Sequence, residues 1–284
     1  MLLKQTNQNT ISKFKEAGIS SSEANLETGI LLNFVFGLTK KDFILNPEKV
    51  LQDDKLEIFN SLIERRIKEK IPVQYLTNQA FFMGEEFYVD ENVLIPRPET
   101  ELLVEEALKL SNKNSKILDV GTGSGCIPCM LVKNLLDAEI FACDISEKTL
   151  EVAKFNAEKL GVKDKITFIN SDIFKNIGKK EKFDIIVSNP PYISIKEKQN
   201  LQPEVALHEP HQALFTEDEK GISFYEKLAP LSKNRLNKNG HLLVEIGIYQ
   251  SNDVVKIFEK AGFKEIKIIK DLNKIDRVII GVNS

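Results

Sequence analysis

No run in the chain approaches the roughly 18 consecutive apolar residues of a membrane-crossing helix, and Met1–Asn7 lacks the apolar core of a signal peptide. The expectation is a soluble, cytoplasmic protein with no membrane partner. Cysteine is scarce: Cys126, Cys129 and Cys143 are an odd number, too few for a disulfide framework. Cys126 and Cys129 have the spacing of a redox pair or half a zinc site, but no second pair exists to complete one. Three residues apart, where a glycine turn enters a helix, they share one face and are expected in the core, with no metal. Pro210 likewise keeps His208 and His211 from presenting both rings on a regular helix. Neither sign of charge dominates: 39 basic against 42 acidic residues leave −3, so no basic field draws nucleic acid to the protein. Phosphate-binding signatures are missing too. No G-x-x-x-x-G-K-[ST] loop occurs, and the dinucleotide fingerprint fails where Cys126 replaces its last glycine.

At 284 residues the chain has room for two domains. Residues 1–72 read as helices, expected to form a small bundle that recognises the substrate. Ser20 with Glu23 marks a helix start, Leu26, Ile30 and Phe34 recur along one face, and Gly37 closes it. Asn46-Pro47 stops the next helix. Asp54 with Glu57 opens a third, whose Leu56, Phe59, Ile63 and Ile67 line one face while Glu64, the Arg65-Arg66 pair and Lys68 are read as solvated. Residues 73–95 read as a linker carrying a hairpin around Gly84. At Leu94-Ile95-Pro96-Arg97-Pro98-Glu99-Thr100-Glu101, Pro98 suits a helix's first turn and the acids its positive end, while Arg97, between prolines, could be aimed at a ligand.

From Lys116 strands and helices alternate, which predicts a doubly wound α/β domain, taken to span residues 96–284. Ile117–Val120 is a short buried strand, and Gly121-Thr122-Gly123-Ser124-Gly125 is the turn after it, where a ligand can approach the backbone closely. Asp144 ends the second strand, placed to accept from ribose hydroxyls, and Asp172, followed by Ile173, ends the third, placed for an adenine amine. A nucleoside cofactor without phosphates, met by an acidic lining, points to S-adenosylmethionine, whose sulfonium is positive.

The fourth strand, Phe183–Ser188, stops at Asn189-Pro190-Pro191-Tyr192. Two prolines remove two amide donors, leaving carbonyls as rigid acceptors beside the Asn189 side chain and the Tyr192 ring. Such a set suits a planar NH2 group, whether an amide or an exocyclic amine. With Leu94–Glu101, the Asp119–Gly125 turn, Glu209-Pro210, Ala213-Leu214, Glu245-Ile246-Gly247 and Gln250, the chain resembles the protein glutamine-N5 methyltransferases of bacterial peptide chain release factors. It departs at Asn78, where the family usually carries glycine. The resemblance implies a Rossmann-like, seven-stranded class I methyltransferase domain behind a helical bundle and hairpin linker. It also implies methylation of the glutamine in a release factor's Gly-Gly-Gln loop, by a monomer. Asn189, Pro190 and Tyr192 are then the catalytic candidates, and Asn189, Pro190, Pro191, Tyr192, Arg97 and Glu99 those for substrate. Gly121, Thr122, Gly123, Ser124, Gly125, Asp144, Asp172, Ile173 and Asn189 are those for S-adenosylmethionine. Two rivals are a DNA or RNA adenine-N6 methyltransferase and a non-catalytic cofactor-binding module. The near balance in residues 1–72, eleven basic against ten acidic, disfavours the first, and an intact acceptor stretch the second.

Overall fold

The computed structural model describes all residues from Met1 to Ser284, in two compact units. One comprises Met1–Asn78 with the distant segment Gln202–His208; the other holds the remainder.

In the first unit, helices Leu3–Glu16, Ser21–Phe36, Lys40–Leu45, Asp53–Lys68 and Val73–Thr77 enclose a core that includes Phe14, Leu31, Leu32, Phe59 and Ile63. The last of these helices lies within the stretch read as linker. Ser20 caps the second helix by accepting from the Glu23 N–H, and Gly37 ends it in the left-handed region, both as expected. Its buried face differs from the expected one, however. Ala24, Thr28, Leu31 and Leu32 are buried, while Leu26 and Phe34 are exposed. Two residues along a helix is about 200° around it, so the Leu26 stripe lies nearly opposite the Ala24 face that packs. The fourth helix begins at Asp53 without the expected side-chain cap; Asp53 and Asp54 supply negative charge to its first turn instead. Arg66 is not solvated either. It is 2% exposed, forks onto Glu27 at 2.8 and 3.0 Å and meets Glu204 at 2.5 Å. Asn78, in the glycine position, adopts the left-handed conformation that asparagine tolerates best after glycine.

The second unit opens with the hairpin β1 (Ala80–Phe82) and β2 (Glu85–Phe87). Then follow β3 (Lys116–Val120), β4 (Glu139–Asp144), β5 (Ile166–Asn170), β6 (Phe183–Ser188), the two-residue β7 (Ile193–Ser194) and β8 (Phe215–Thr216), β9 (Leu236–Glu245), β10 (Lys264–Lys270) and β11 (Asp276–Asn283). Seven of these form one sheet in the order β10-β11-β9-β6-β3-β4-β5, with β11 antiparallel to both neighbours and the rest parallel. Alternation along the central strands fills two cores: Ile117, Ile185, Val187 and Leu243 face one side, and Leu118, Ile186, Leu242 and Val244 the other. Cys126, Cys129 and Cys143 are buried free thiols, Cys126 pushed up to about 12 by burial and therefore inert at neutral pH. The order reverses between β3 and β6, which puts the switch-point crevice at the ends of those two strands. No helix is long and apolar enough to cross a membrane.

Candidate active site

A cavity of ≈410 Å³ opens at this switch point, lined by the turn after β3, the ends of β4 and β5, the start of helix Pro98–Leu110 and the stretch after β6. The turn is anchored from below: the Gly121 and Thr122 N–H groups both donate to the Cys143 carbonyl, at 2.9 and 3.0 Å. Gly125 has φ +79°, and a Cβ there would lie 3.0 Å from the Ala153 methyl, so both conformation and contact demand glycine. Asp144 accepts from the Gly123 N–H at 3.1 Å and the Ser146 N–H at 3.0 Å, which holds its carboxylate at the cavity edge. Burial raises its pKa above the usual carboxylate range. Asp172 is exposed on the wall, and Ile173 beside it has φ +51°, an outlying conformation for a β-branched residue.

The Asp119 carboxylate and the Thr122 hydroxyl, which flank Gly121, are buried beside each other. Complete burial pushes Asp119 up to about 7. The lining fits S-adenosylmethionine: the acids Asp144, Asp172 and Glu91 stand around a cation, and there is no phosphate cradle. Arg97, the one basic residue of the lining, is already tied to Glu209 at 2.5 Å. No cluster of three or more His, Cys, Asp or Glu converges to hold a metal ion.

These buried acids set a pH dependence. The unfolded chain gives up the Asp119 proton near pH 4 and the folded protein near 7, so stability is lost as pH rises across that window. The full shift corresponds to on the order of 4 kcal/mol. The ligand-free protein is expected to melt several degrees higher at pH 5 than at pH 7, and Asp119→Asn to reduce that dependence, the rest coming from Glu245, which burial also pushes up to about 7. Calorimetry across the range checks it; an unchanged slope in the variant would remove Asp119 as its source.

Asn189, Pro190 and Pro191 all line the cavity. The Asn189 Nδ2 donates to the Thr100 hydroxyl at 2.9 Å, leaving Oδ1 as the side chain's remaining acceptor. Two expected residues are placed differently. Tyr192 is not on the wall: its hydroxyl donates to Glu245 at 3.3 Å and its ring packs against the apolar cluster of Leu242, Val244 and Tyr225. A phenol beside a buried carboxylate settles there and not on a solvent-filled cavity. Glu99 also faces away, 3.8 Å from Arg277. Of the neighbouring motif, Glu101 accepts from the Met83 N–H at 2.7 Å and so pins the hairpin.

Sequence reasoning missed three participants. Thr100 sits within the quoted motif without an assigned role. Phe224 lines the cavity from the helix Ser223–Lys233. Gly221 lies so close beneath Tyr192 that a Cβ would strike its carbonyl oxygen; a lone glycine before a helix carries no sequence signal for that.

A family model described as "Methyltransferase small domain" matches residues 98–274, and one described as "PrmC N-terminal domain" matches residues 6–77. The chain is 43% identical over 255 residues to a release factor glutamine methyltransferase of Flavobacterium psychrophilum, covering 88% of each chain. It is 38% identical to one of Geobacter sulfurreducens, covering 94% of this chain and 91% of that one. Among solved structures, a methyltransferase from Pyrococcus furiosus superposes with a TM-score of 0.54 at 18% identity, covering 72% of this chain and 91% of that one, which is a likeness of fold.

Proposed function

Since the chain belongs to the release factor glutamine methyltransferase family, we propose that it transfers a methyl group from S-adenosylmethionine to the side-chain amide nitrogen of the glutamine in a release factor's Gly-Gly-Gln loop. When bound, the cofactor supplies a methyl group on a positive sulfur, an electrophile strong enough for a weak nucleophile. Gly121, Thr122, Gly123, Ser124 and Gly125 would hold it, with Asp144 on the ribose and Asp172 and Ile173 against the base.

An amide nitrogen is a poor nucleophile because its lone pair is shared with the carbonyl. Acceptors for both of its hydrogens draw density onto nitrogen and favour its loss of planarity. Asn189 Oδ1 and the Pro190 carbonyl are the two acceptors, and the prolines keep the second rigid. After attack the nitrogen sheds a proton, which these acceptors can pass to water. Orientation supplies most of the acceleration; well-aligned intramolecular reactions gain about 7–11 kcal/mol from it. The observation that carries the reading is the Asn189–Thr100 bond, which spends the Asn189 NH2 away from the substrate and leaves oxygen to accept. Tyr192 is assigned a supporting role: through Glu245 and the Gln250 contact to its carbonyl it fixes the loop.

The release factor is the partner, and the helical unit is read as its recognition module. The chain acts as a monomer in the cytoplasm, and the charge balance of −3 supports a protein substrate without nucleic acid. Incubation with methyl-labelled S-adenosylmethionine and purified release factors tests the assignment. Label is expected on the native factor and none on one whose loop glutamine is changed; label indifferent to that change would overturn it.

A further inference from the structure

Behind Asn189 a chain of hydrogen bonds runs from the cavity wall into the sheet. Asn189 Nδ2 donates to Thr100 Oγ1 at 2.9 Å, and Thr100 donates in turn to Glu245 Oε2 at 2.7 Å. Glu245, at the end of β9, is 1% exposed, and its other oxygen accepts from Tyr192. The Tyr225 hydroxyl donates to the Glu245 main-chain carbonyl at 2.9 Å, which fixes the strand end.

We propose that Thr100 and Glu245 are positioning residues that set the polarity of the Asn189 amide, so that its oxygen and not its NH2 is presented to the substrate. The proposal rests on Asn189 being an acceptor for the glutamine NH2. Its logic is a count of hydrogens. Burial pushes Glu245 up to about 7, and above that pH it is a carboxylate that only accepts, from Thr100 on one oxygen and Tyr192 on the other, so the single Thr100 hydroxyl hydrogen is committed to it. The Thr100 oxygen can then only accept, and only the Asn189 NH2 can satisfy it. An Asn189 amide turned by half a rotation would set two oxygens face to face at Thr100 and present donors to a substrate that is itself a donor. Without this relay the two amide orientations differ little in shape, and part of the population would be inactive. The arrangement also explains why a carboxylate is kept buried where an apolar side chain would pack: it is the acceptor at which the chain of donors must end.

Three variants test it: Thr100→Val, which removes the hydroxyl at equal size, Thr100→Ser, which keeps it, and Glu245→Gln, whose amide can donate back to Thr100. Thr100→Val and Glu245→Gln are expected to lower kcat for the release factor about 10- to 100-fold, with KM and the Kd for S-adenosylmethionine within about threefold of wild type. Thr100→Ser should recover at least about a tenfold share of what Val loses. A readout independent of turnover is the Asn189 side-chain NH2 signal in 15N-labelled protein, expected to exchange faster with solvent in Thr100→Val than in Thr100→Ser. Equal turnover and equal exchange in the Val and Ser variants would overturn the relay, as would a loss confined to KM. Should Glu245→Gln fail to fold, the Thr100 pair decides alone. Failure of the underlying reading is separable: it shows as wild-type transfer to a factor without the loop glutamine, whereas failure of the relay leaves transfer glutamine-dependent.

Discussion

Asn189→Ala is expected to bind S-adenosylmethionine with near-native affinity and to methylate a release factor about 10²–10³-fold more slowly, the loss typical when one preorganised partner of a developing charge is removed. The side chain lines the cavity and gives its NH2 to Thr100, which leaves one oxygen free to accept. Alanine leaves Thr100 its bond to Glu245, so no buried hydroxyl is stranded and the fold should survive. Gly121–Gly125 and Asp144, proposed above to hold the cofactor, are untouched. Titration calorimetry for binding and single-turnover transfer for chemistry separate the two effects. Near-normal turnover would remove Asn189 from the acceptor role.

Gly221→Ala should be strongly damaging although the residue lies outside the cavity. Gly221 has φ +69°, and its missing side chain makes room for the Tyr192 carbonyl and for Gln250. Gln250 accepts from the Gly247 N–H at 2.9 Å and donates to the carbonyls of Tyr192 and Lys220, both at 2.8 Å, so one side chain ties three loops together. A methyl group at 221 must displace main chain, because the Tyr192 carbonyl cannot swing aside as a flexible side chain would. The cost is expected to be about 2–4 kcal/mol of stability. Because the displaced segment adjoins Pro190, kcat should fall at least about 10²-fold as well. Melting curves and turnover measured on the same preparation check both. An unperturbed variant would mean that the loops are not interlocked as described.

What was legible in the sequence was whatever local chemistry dictates. Strands β3 and β6 are short apolar runs ended by residues that cannot continue them, and the glycines after β3 announce a backbone that something approaches. Gly37 and Ser20 mark helix ends by their own conformational preferences. Illegible was whatever depends on a distant partner. Leu26, Ile30 and Phe34 have the right spacing for a buried face, yet the neighbouring helices meet Ala24, Thr28 and Leu31 instead. Arg66 reads as solvent-facing until Glu27 and Glu204 are brought to it from 39 and 138 residues away. Tyr192 reads as a stacking platform until Glu245, 53 residues on, claims its hydroxyl. Thr100 belongs to the same class: its spacing announces a helix start, and only the fold places it between an amide and a carboxylate.

The segment Gln202–His208 makes the helical unit something other than a detachable cassette. The polypeptide crosses between the units three times, at 78–79, 201–202 and 208–209, and the last two crossings bracket a piece of the excursion that follows the acceptor stretch. Cutting the gene after residue 78 would therefore not release an intact module. It would take Glu204 away from Arg66, a guanidinium already carrying one unpaired buried nitrogen, and leave that buried charge to Glu27 alone. Recombination that swaps amino-terminal bundles among relatives must carry a second, remote patch of coding sequence with it, so recognition and catalysis are expected to be inherited as a single block.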